Sequence, residues 1–245
     1  MRFFTCLLIG LLTQQLLFAQ IQHKQLPATR TTAIIKIDGN IDEAAWKLAT
    51  PATNFIEQRP NAGKPEDKNS RTEIYLLYDN TSIYVGGYCY ETRDSISREL
   101  IGRDKAGIND FAGIILDTYN DKINASGFFV TPYGEQFDLK YSPENEDVAW
   151  SAVWSSESKI HADGWSFEMR IPYSALRFIS KENQTWGLNL IRRRVKSGKQ
   201  YSWNALDPKV NGFINQEGEW TGIGKIESPL RLSFSPYLST YINHY

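Results

Sequence analysis

Carboxylates and indoles are the side chains of this 245-residue chain best suited to chemistry, and their spacing points to two kinds of work. Cleavage of a glycosidic bond takes two carboxyl groups held ~5–10 Å apart, one of them kept protonated by its surroundings. Glu135, Asp138 and Glu168 lie on or beside apolar-alternating runs and are the candidates for such a pair, the arrangement of an O-glycosyl hydrolase. With 28 acidic residues such pairs arise by chance, and neither position nor spacing selects one. Stacking asks for less. Trp150 and Trp154, which follow the acidic loop Ser142 to Val148, and Trp203 with Phe213 are two candidate aromatic platforms. A flat ring suits the apolar C–H face of a sugar. Trp46, Trp165 and Trp186 fall within apolar patterns and read as core.

Metal and nucleophile chemistry find less support. Asp38, Asn40 and Asp42 repeat like a calcium loop, but the glycine comes second instead of sixth and Ala49 fills the twelfth place. A tight turn followed by a helix cap explains the same residues. Calcium is then left to carboxylates gathered from separate loops, such as Asp104, Asp110 and Asp117. His23, His161 and His244 have neither ligand spacing nor a nucleophile partner. A formal net charge of −1 provides no field to recruit nucleic acid. The basic run Arg192 to Arg194, with Lys196 and Lys199, reads as a strand edge guarded by charge.

The elements that must position these residues are strands. From Asp110 to Tyr141 three apolar-alternating runs follow one another across turn residues, which predicts an antiparallel meander. In the first run Ile114 and Leu116 oppose Phe111, Ile115 and Tyr119, so both faces are expected to be buried. In the third, Phe137, Leu139 and Tyr141 are expected in the core and Gln136, Asp138 and Lys140 outside. Thr72 to Tyr78 and Ser82 to Tyr90 form a hairpin, as do Ile160 to Asp163 and Gly164 to Ile171. Further strands are expected at Ala33 to Ile37, Trp186 to Val195, Gln200 to Asn204 and Trp220 to Ile226, with helical turns after Asp42 and Pro172. The prediction is an all-β fold, a two-layer antiparallel β sandwich of jelly-roll type with one or two short helical turns.

The ends carry addresses. Residues 1–19 read as a Sec signal peptide: Arg2, an apolar stretch interrupted at Thr13 to Gln15, and Ala19 before Gln20. That implies export to the periplasm, outer membrane or cell surface. Residues 20–32 are a polar lead-in expected to add nothing to the core, and 33–229 hold the sandwich. Cys89 is then alone in the mature chain, a small buried hydrophobe. In 230–245, Leu230, Leu232, Phe234 and Leu238 alternate with Arg231, Ser233, Ser235 and Ser239, the pattern of a first strand of a second, barrel-like domain.

Ile37 to Glu43 (Ile-Asp-Gly-Asn-Ile-Asp-Glu) with Trp46, the strand Asp110 to Asp117, Asp163-Gly164-Trp165 with Glu168 and Ile171-Pro172, and Trp186-Gly187-Leu188-Asn189 together resemble carbohydrate-binding module family 9. The resemblance covers about Ile34 to Ile226. The Arg192 to Arg194 strand, Tyr201-Ser202-Trp203 and the tail from Leu232 are similar to the uncharacterised subgroup in which this module precedes an outer-membrane barrel. The resemblance implies a β sandwich that binds sugar-chain ends between two Trp rings, often with structural calcium. Here Gly107 stands where one such Trp is expected, Gly113 where a Glu is, and Asp138 where an Arg is, while Phe213 is the aromatic nearest the second Trp position. The leading expectation is therefore a secreted, non-catalytic glycan-binding module for polysaccharide capture or catabolism, its ligand held by Trp150, Trp154, Trp203 and Phe213. Its alternatives are an accessory domain of an outer-membrane barrel that binds no sugar, and a glycosyl hydrolase component.

Overall fold

The computed structural model describes residues 23–97, 99, 102, 108–143, 145–230, 236, 237 and 239. Among them fourteen strands form two sheets. The strands are β1 (Gln25–Pro27), β2 (Thr29–Arg30), β3 (Ile56–Arg59), β4 (Thr72–Tyr78), β5 (Ser82–Tyr90), β6 (Phe111–Asp117) and β7 (Ala125–Val130). They continue with β8 (Gln136–Tyr141), β9 (Glu146–Asp147), β10 (Ser155–Ile160), β11 (Gly164–Pro172), β12 (Asn183–Arg194), β13 (Lys199–Ser202) and β14 (Gly218–Gly224). The nine-stranded sheet runs β1-β14-β12-β6-β7-β8-β9, with β13 paired between β12 and β3, and the five-stranded sheet runs β10-β11-β5-β4-β2. Helix is limited to short 3₁₀ turns, so the all-β sandwich expected from alternation is what forms.

Between the sheets lies a dry core. Ala112, Ile114 and Leu116 of β6, Phe128 and Val130 of β7, and Trp186, Leu188 and Leu190 of β12 face Ile74 and Leu76 of β4, Ile83 and Val85 of β5, and Trp165, Phe167 and Met169 of β11. Cys89 is fully buried there, and burial pushes its thiol up to about 12. The outer face of the nine-stranded sheet carries a second apolar cluster from the same strands: Phe111, Ile115, Phe129, Phe137, Leu139 and Ile191. Both faces of β6 are thus buried, as its pattern predicts. For β8 the faces are the reverse of the expectation. Phe137, Leu139 and Tyr141 belong to the outer cluster, and Asp138 points inward at 2 % exposure. Period two fixes which residues share a face but not which face meets the partner sheet.

Three other expectations yield to tertiary context. The lead-in is structured: β1 pairs in parallel with β14 and β2 with β4, so the segment crosses from one sheet to the other and buries Leu26. Strands of two or three residues are too short to show a period. Ala33 to Ile37 forms no strand; it lies with Ile41 and Trp46 over the outer face of the five-stranded sheet. Arg192 is not on an edge, because β12 is flanked by β6 on one side and by β14 and β13 on the other. Its guanidinium lies between the layers, donating to the carbonyls of Ser70 and Tyr90 and to Glu91 Oε2 at 3.1 Å. Arg194 holds the other oxygen of Glu91 at 2.8 Å.

An aromatic groove on the outer face of the nine-stranded sheet

Cross-strand registry builds the floor of the groove. Gly113 of β6 faces Phe129 of β7, which faces Phe137 of β8. The Phe129 and Phe137 rings stack at 4.9 Å with planes 12° apart, and Phe111 meets both edge-on at 5.4 and 5.1 Å. Small neighbours let Phe129 lie flat. A Cβ at Gly113 would stand 2.5 Å from its Cδ1, and one at Gly127 would stand 2.6 Å from its Cε2. A glutamate at 113 has no room beside that ring.

Polar groups rim the floor. Arg193 of β12, Gln200 of β13 and Arg59 of β3 face one another in register. Arg59 Nε donates to Gln200 Oε1 at 3.2 Å, Gln200 Nε2 donates to Gln58 Oε1 at 2.8 Å, and the Arg193 guanidinium lies 5.9 Å from the Phe111 ring centre. Tyr141 and Phe213, in contact at 5.2 Å, close one end together with Glu146 and Val148. Burial, then the Glu146 charge, pushes the Tyr141 phenol up, so it stays protonated and able to donate. The enclosed volume is about 360 Å³, within the range of small-molecule sites.

Of the four aromatics expected to stack, Phe213 alone lines this groove. Trp154 and Trp203 pack in the inter-sheet core, away from this groove, and Trp203 lies below the Lys24 ammonium beside a separate cleft with His23 and Asn54. Asp138 explains the first: its Oδ2 accepts the Trp154 indole N–H at 2.8 Å and its Oδ1 accepts the Ala152 N–H, so the tryptophan is drawn inward. Trp150 is half-buried against Phe128 on the inner side, below Lys140, and borders a separate shallow cleft with Ser174 and Arg177. Sequence reasoning missed Phe111, Phe129, Phe137, Arg59, Arg193 and Gln200. The signal was present in the double-sided apolar pattern of β6 to β8, which leaves one buried face without a second sheet to cover it.

The carboxylates do not converge. Glu168 is on the outer face of the five-stranded sheet, where its Oε2 accepts the Asp38 and Gly39 N–H groups at 3.0 and 3.1 Å and its Oε1 accepts the Trp46 indole N–H at 3.1 Å. Burial pushes it up to about 7. The Ile-Asp-Gly motif with Trp46 is therefore a latch closed on Glu168, and Gly39 is needed at φ +82 because a Cβ would meet the Ser158 backbone at 2.9 Å. Glu135 bonds Thr131 in its own turn. With Asp138 between the layers, the three candidates occupy three separate environments, so no hydrolytic pair forms.

Among the described residues the acids expected to hold calcium do not gather either. Asp104 lies outside the described residues, and Asp110 and Asp117 bracket the extended β6, ~20 Å apart at the rise of a strand. Asp110 Oδ1 accepts the Val195 N–H, and burial pushes this acid up to about 6. Asp117 accepts the N–H groups of Tyr119 and Lys122, while the Lys122 ammonium lies 3.3 Å from Glu217. Among the described residues no three metal-ligating side chains cluster. The expected calcium ligands do not fit one ion.

Fold and groove define a class: a two-layer β sandwich carrying an aromatic-floored, polar-rimmed groove on the outer face of its larger sheet. The fold is that of carbohydrate-binding module family 9. A family 9 module from Caldicellulosiruptor kristjanssonii in complex with cellotriose superposes with a TM-score of 0.61 at 14% identity, covering 87% of this chain and 100% of that one. The same source's module in complex with glucose gives 0.59 at 14% identity over the same shares. A Bacteroides uniformis protein presumed to bind carbohydrate gives 0.65 at 12% identity, covering 84% of this chain and 100% of that one. No protein-family model and no curated protein sequence matches the chain.

Proposed function

We propose that this chain is an exported, non-catalytic glycan-binding module that takes a sugar-chain end in the outer-face groove and serves polysaccharide capture and catabolism at the cell envelope. The observation that carries the reading is the groove itself: the half-buried Tyr141 and Phe213 rings over closely packed phenylalanines, beside a rim of Arg and Gln groups. Apolar C–H faces of a pyranose pack against the Tyr141 and Phe213 rings while its hydroxyls bond the rim. The solved structures of the same fold that hold cellotriose and glucose support it. Calorimetry of the mature chain against a soluble glycan panel tests it. Phe213→Ala is expected to weaken binding about tenfold, the loss of ~1.4 kcal/mol of stacking and closure. A panel with no binder sinks the reading.

A second reading places the sandwich as an accessory domain of an outer-membrane barrel. It rests on the tail, where Leu230 and Tyr237 stand 84 % and 88 % exposed beyond the last strand. Residues 231–235 and most of the positions that follow, which carry the expected barrel-like strand, lie outside the described residues, as does the expected signal peptide. Fractionation of the native host with an antibody to the sandwich separates the two: a free periplasmic or secreted fragment excludes the barrel partner.

A further inference from the structure

The guanidinium row on the rim specifies more than a generic sugar. Arg59, Gln200 and Arg193 stand at facing positions on β3, β13 and β12, so the two arginines are two strand spacings apart, ~10 Å along the rim. Gln200 Oε1 holds Arg59 by its Nε and Nη2 edge, and the Phe111 ring supports Arg193 from below. Among the described residues neither guanidinium meets a carboxylate, although Glu91, Glu57 and Glu73 each take a nearby basic partner. Two held but uncompensated arginines at the edge of an apolar floor are costly to keep beside a ligand that brings no charge, because stacking a sugar there strips water from them. Their planar forks match a carboxylate.

We propose that the groove selects a sugar end bearing a carboxylate, a hexuronate, with the acid on the Arg193 and Arg59 rim and the ring against Tyr141 and Phe213. Glu146, the one carboxylate on the rim among the described residues, is outnumbered by the two guanidiniums and lines the groove beside Tyr141. It fixes orientation: a uronate is repelled from that end and presents hydroxyls to it. The selection rests on the glycan-binding reading above, which can hold without it.

Two matched pairs decide the matter by calorimetry on the mature chain: a glucuronate-ended trisaccharide against cellotriose, and trigalacturonate against its methyl ester. The acid of at least one pair is expected to bind about tenfold more tightly or better, as charge-assisted hydrogen bonds of this kind contribute, and the preference is expected to shrink with added salt. Arg193→Gln, and independently Arg59→Gln, should remove the preference, the acid of the pair losing at least about fivefold more affinity than its neutral partner. Equal binding within both pairs overturns the selection and leaves glycan binding standing. Absence of binding by all four overturns both. A preference that survives both substitutions places the selectivity elsewhere and overturns the assignment.

Discussion

The inner and outer faces of the nine-stranded sheet are both paved with large apolar side chains, yet they are closed in different ways. The inner face meets a second sheet, and even its charged residue is covered: Arg192 is 1 % exposed, with five donor contacts to Ser70, Arg71, Thr72, Tyr90 and Glu91. Among the described residues the outer face meets no sheet. Its phenylalanines are covered by one another and by the 213–214 turn, and its arginines stay at the rim. An apolar face sealed by a second sheet contributes stability; one covered only by its own side chains and a turn, beside oriented polar groups, leaves a groove that a ligand can enter. The difference assigns the two faces different duties, and substitutions should separate them.

The largest separation is expected from Arg192→Met. Removal of the guanidinium leaves Glu91 with Arg194 alone and several buried carbonyls without donors, a loss of about 3–5 kcal/mol. Urea denaturation should show it, whereas groove affinity measured on the remaining folded protein should be nearly unchanged. Loss of both in equal measure would mean that the two faces are not independent.

Gly113→Ala tests the outer face next. Its Cβ would stand 2.2 Å from the Phe128 carbonyl oxygen and 2.5 Å from Phe129, so backbone and ring must both shift. A cost of about 1–3 kcal/mol is expected from overpacking, together with weakened glycan binding as the floor tilts. Gly102→Ala, with no atom of the described residues within 4 Å of the new Cβ, is the control. Unchanged binding in the Gly113 variant would remove Phe129 from the site.

How far the site was legible in the sequence follows from the same contrast. Period-two alternation and turn residues give strands and pairing, and the Trp, Phe and Ile positions of β6, β7 and β11 reach the core as their patterns require. The site was harder to read because it depends on which side of a sheet the second layer packs. That side is settled by long-range contacts such as the Asp138 bond to the Trp154 indole. Trp154 and Trp203 carry the residue type of a stacking platform but fill the space between the sheets, while the equally buried phenylalanines of the other face lie beneath a groove walled by Tyr141 and Phe213. Arg192 and Arg193 are neighbours with opposite fates for the same reason: adjacent residues of a strand point to opposite faces.

Protonation gives a smaller, graded test. Burial, reinforced by Asp117 and opposed by Lys122, pushes Glu217 up to about 8, and burial pushes Glu168 up to about 7. Both folded-state values exceed the unfolded value of about 4.3. The folded chain therefore holds protons that the unfolded chain has released. The resulting stability is complete below the unfolded value and is lost as pH rises through 7 and 8, by up to ~1.4 kcal/mol per pH unit for each group. Urea midpoints between pH 5.5 and 8.5 should fall, and Glu217→Gln should flatten the fall. A midpoint that rises across this window would refute the assignment of protonated carboxyls at both places.

The smallest effect is expected from Trp150→Ala, and its smallness is the informative result. Trp150 is half-buried with its ring edge-on to Phe128 at 5.9 Å, and Phe128 belongs to the inter-sheet core. Lys140, whose ammonium lies 4.8 Å from the indole centre, shares that side of β8, whereas Phe137, Leu139 and Tyr141 line the groove on the other. A ligand in the groove thus has the full thickness of the sheet between itself and the indole. Truncation should cost about 1 kcal/mol of stability from lost edge packing and shift glycan affinity by less than about twofold. A tenfold loss in that variant, with Phe213→Ala silent, would move the binding site across the sheet to the cleft of Trp150, Lys140 and Arg177.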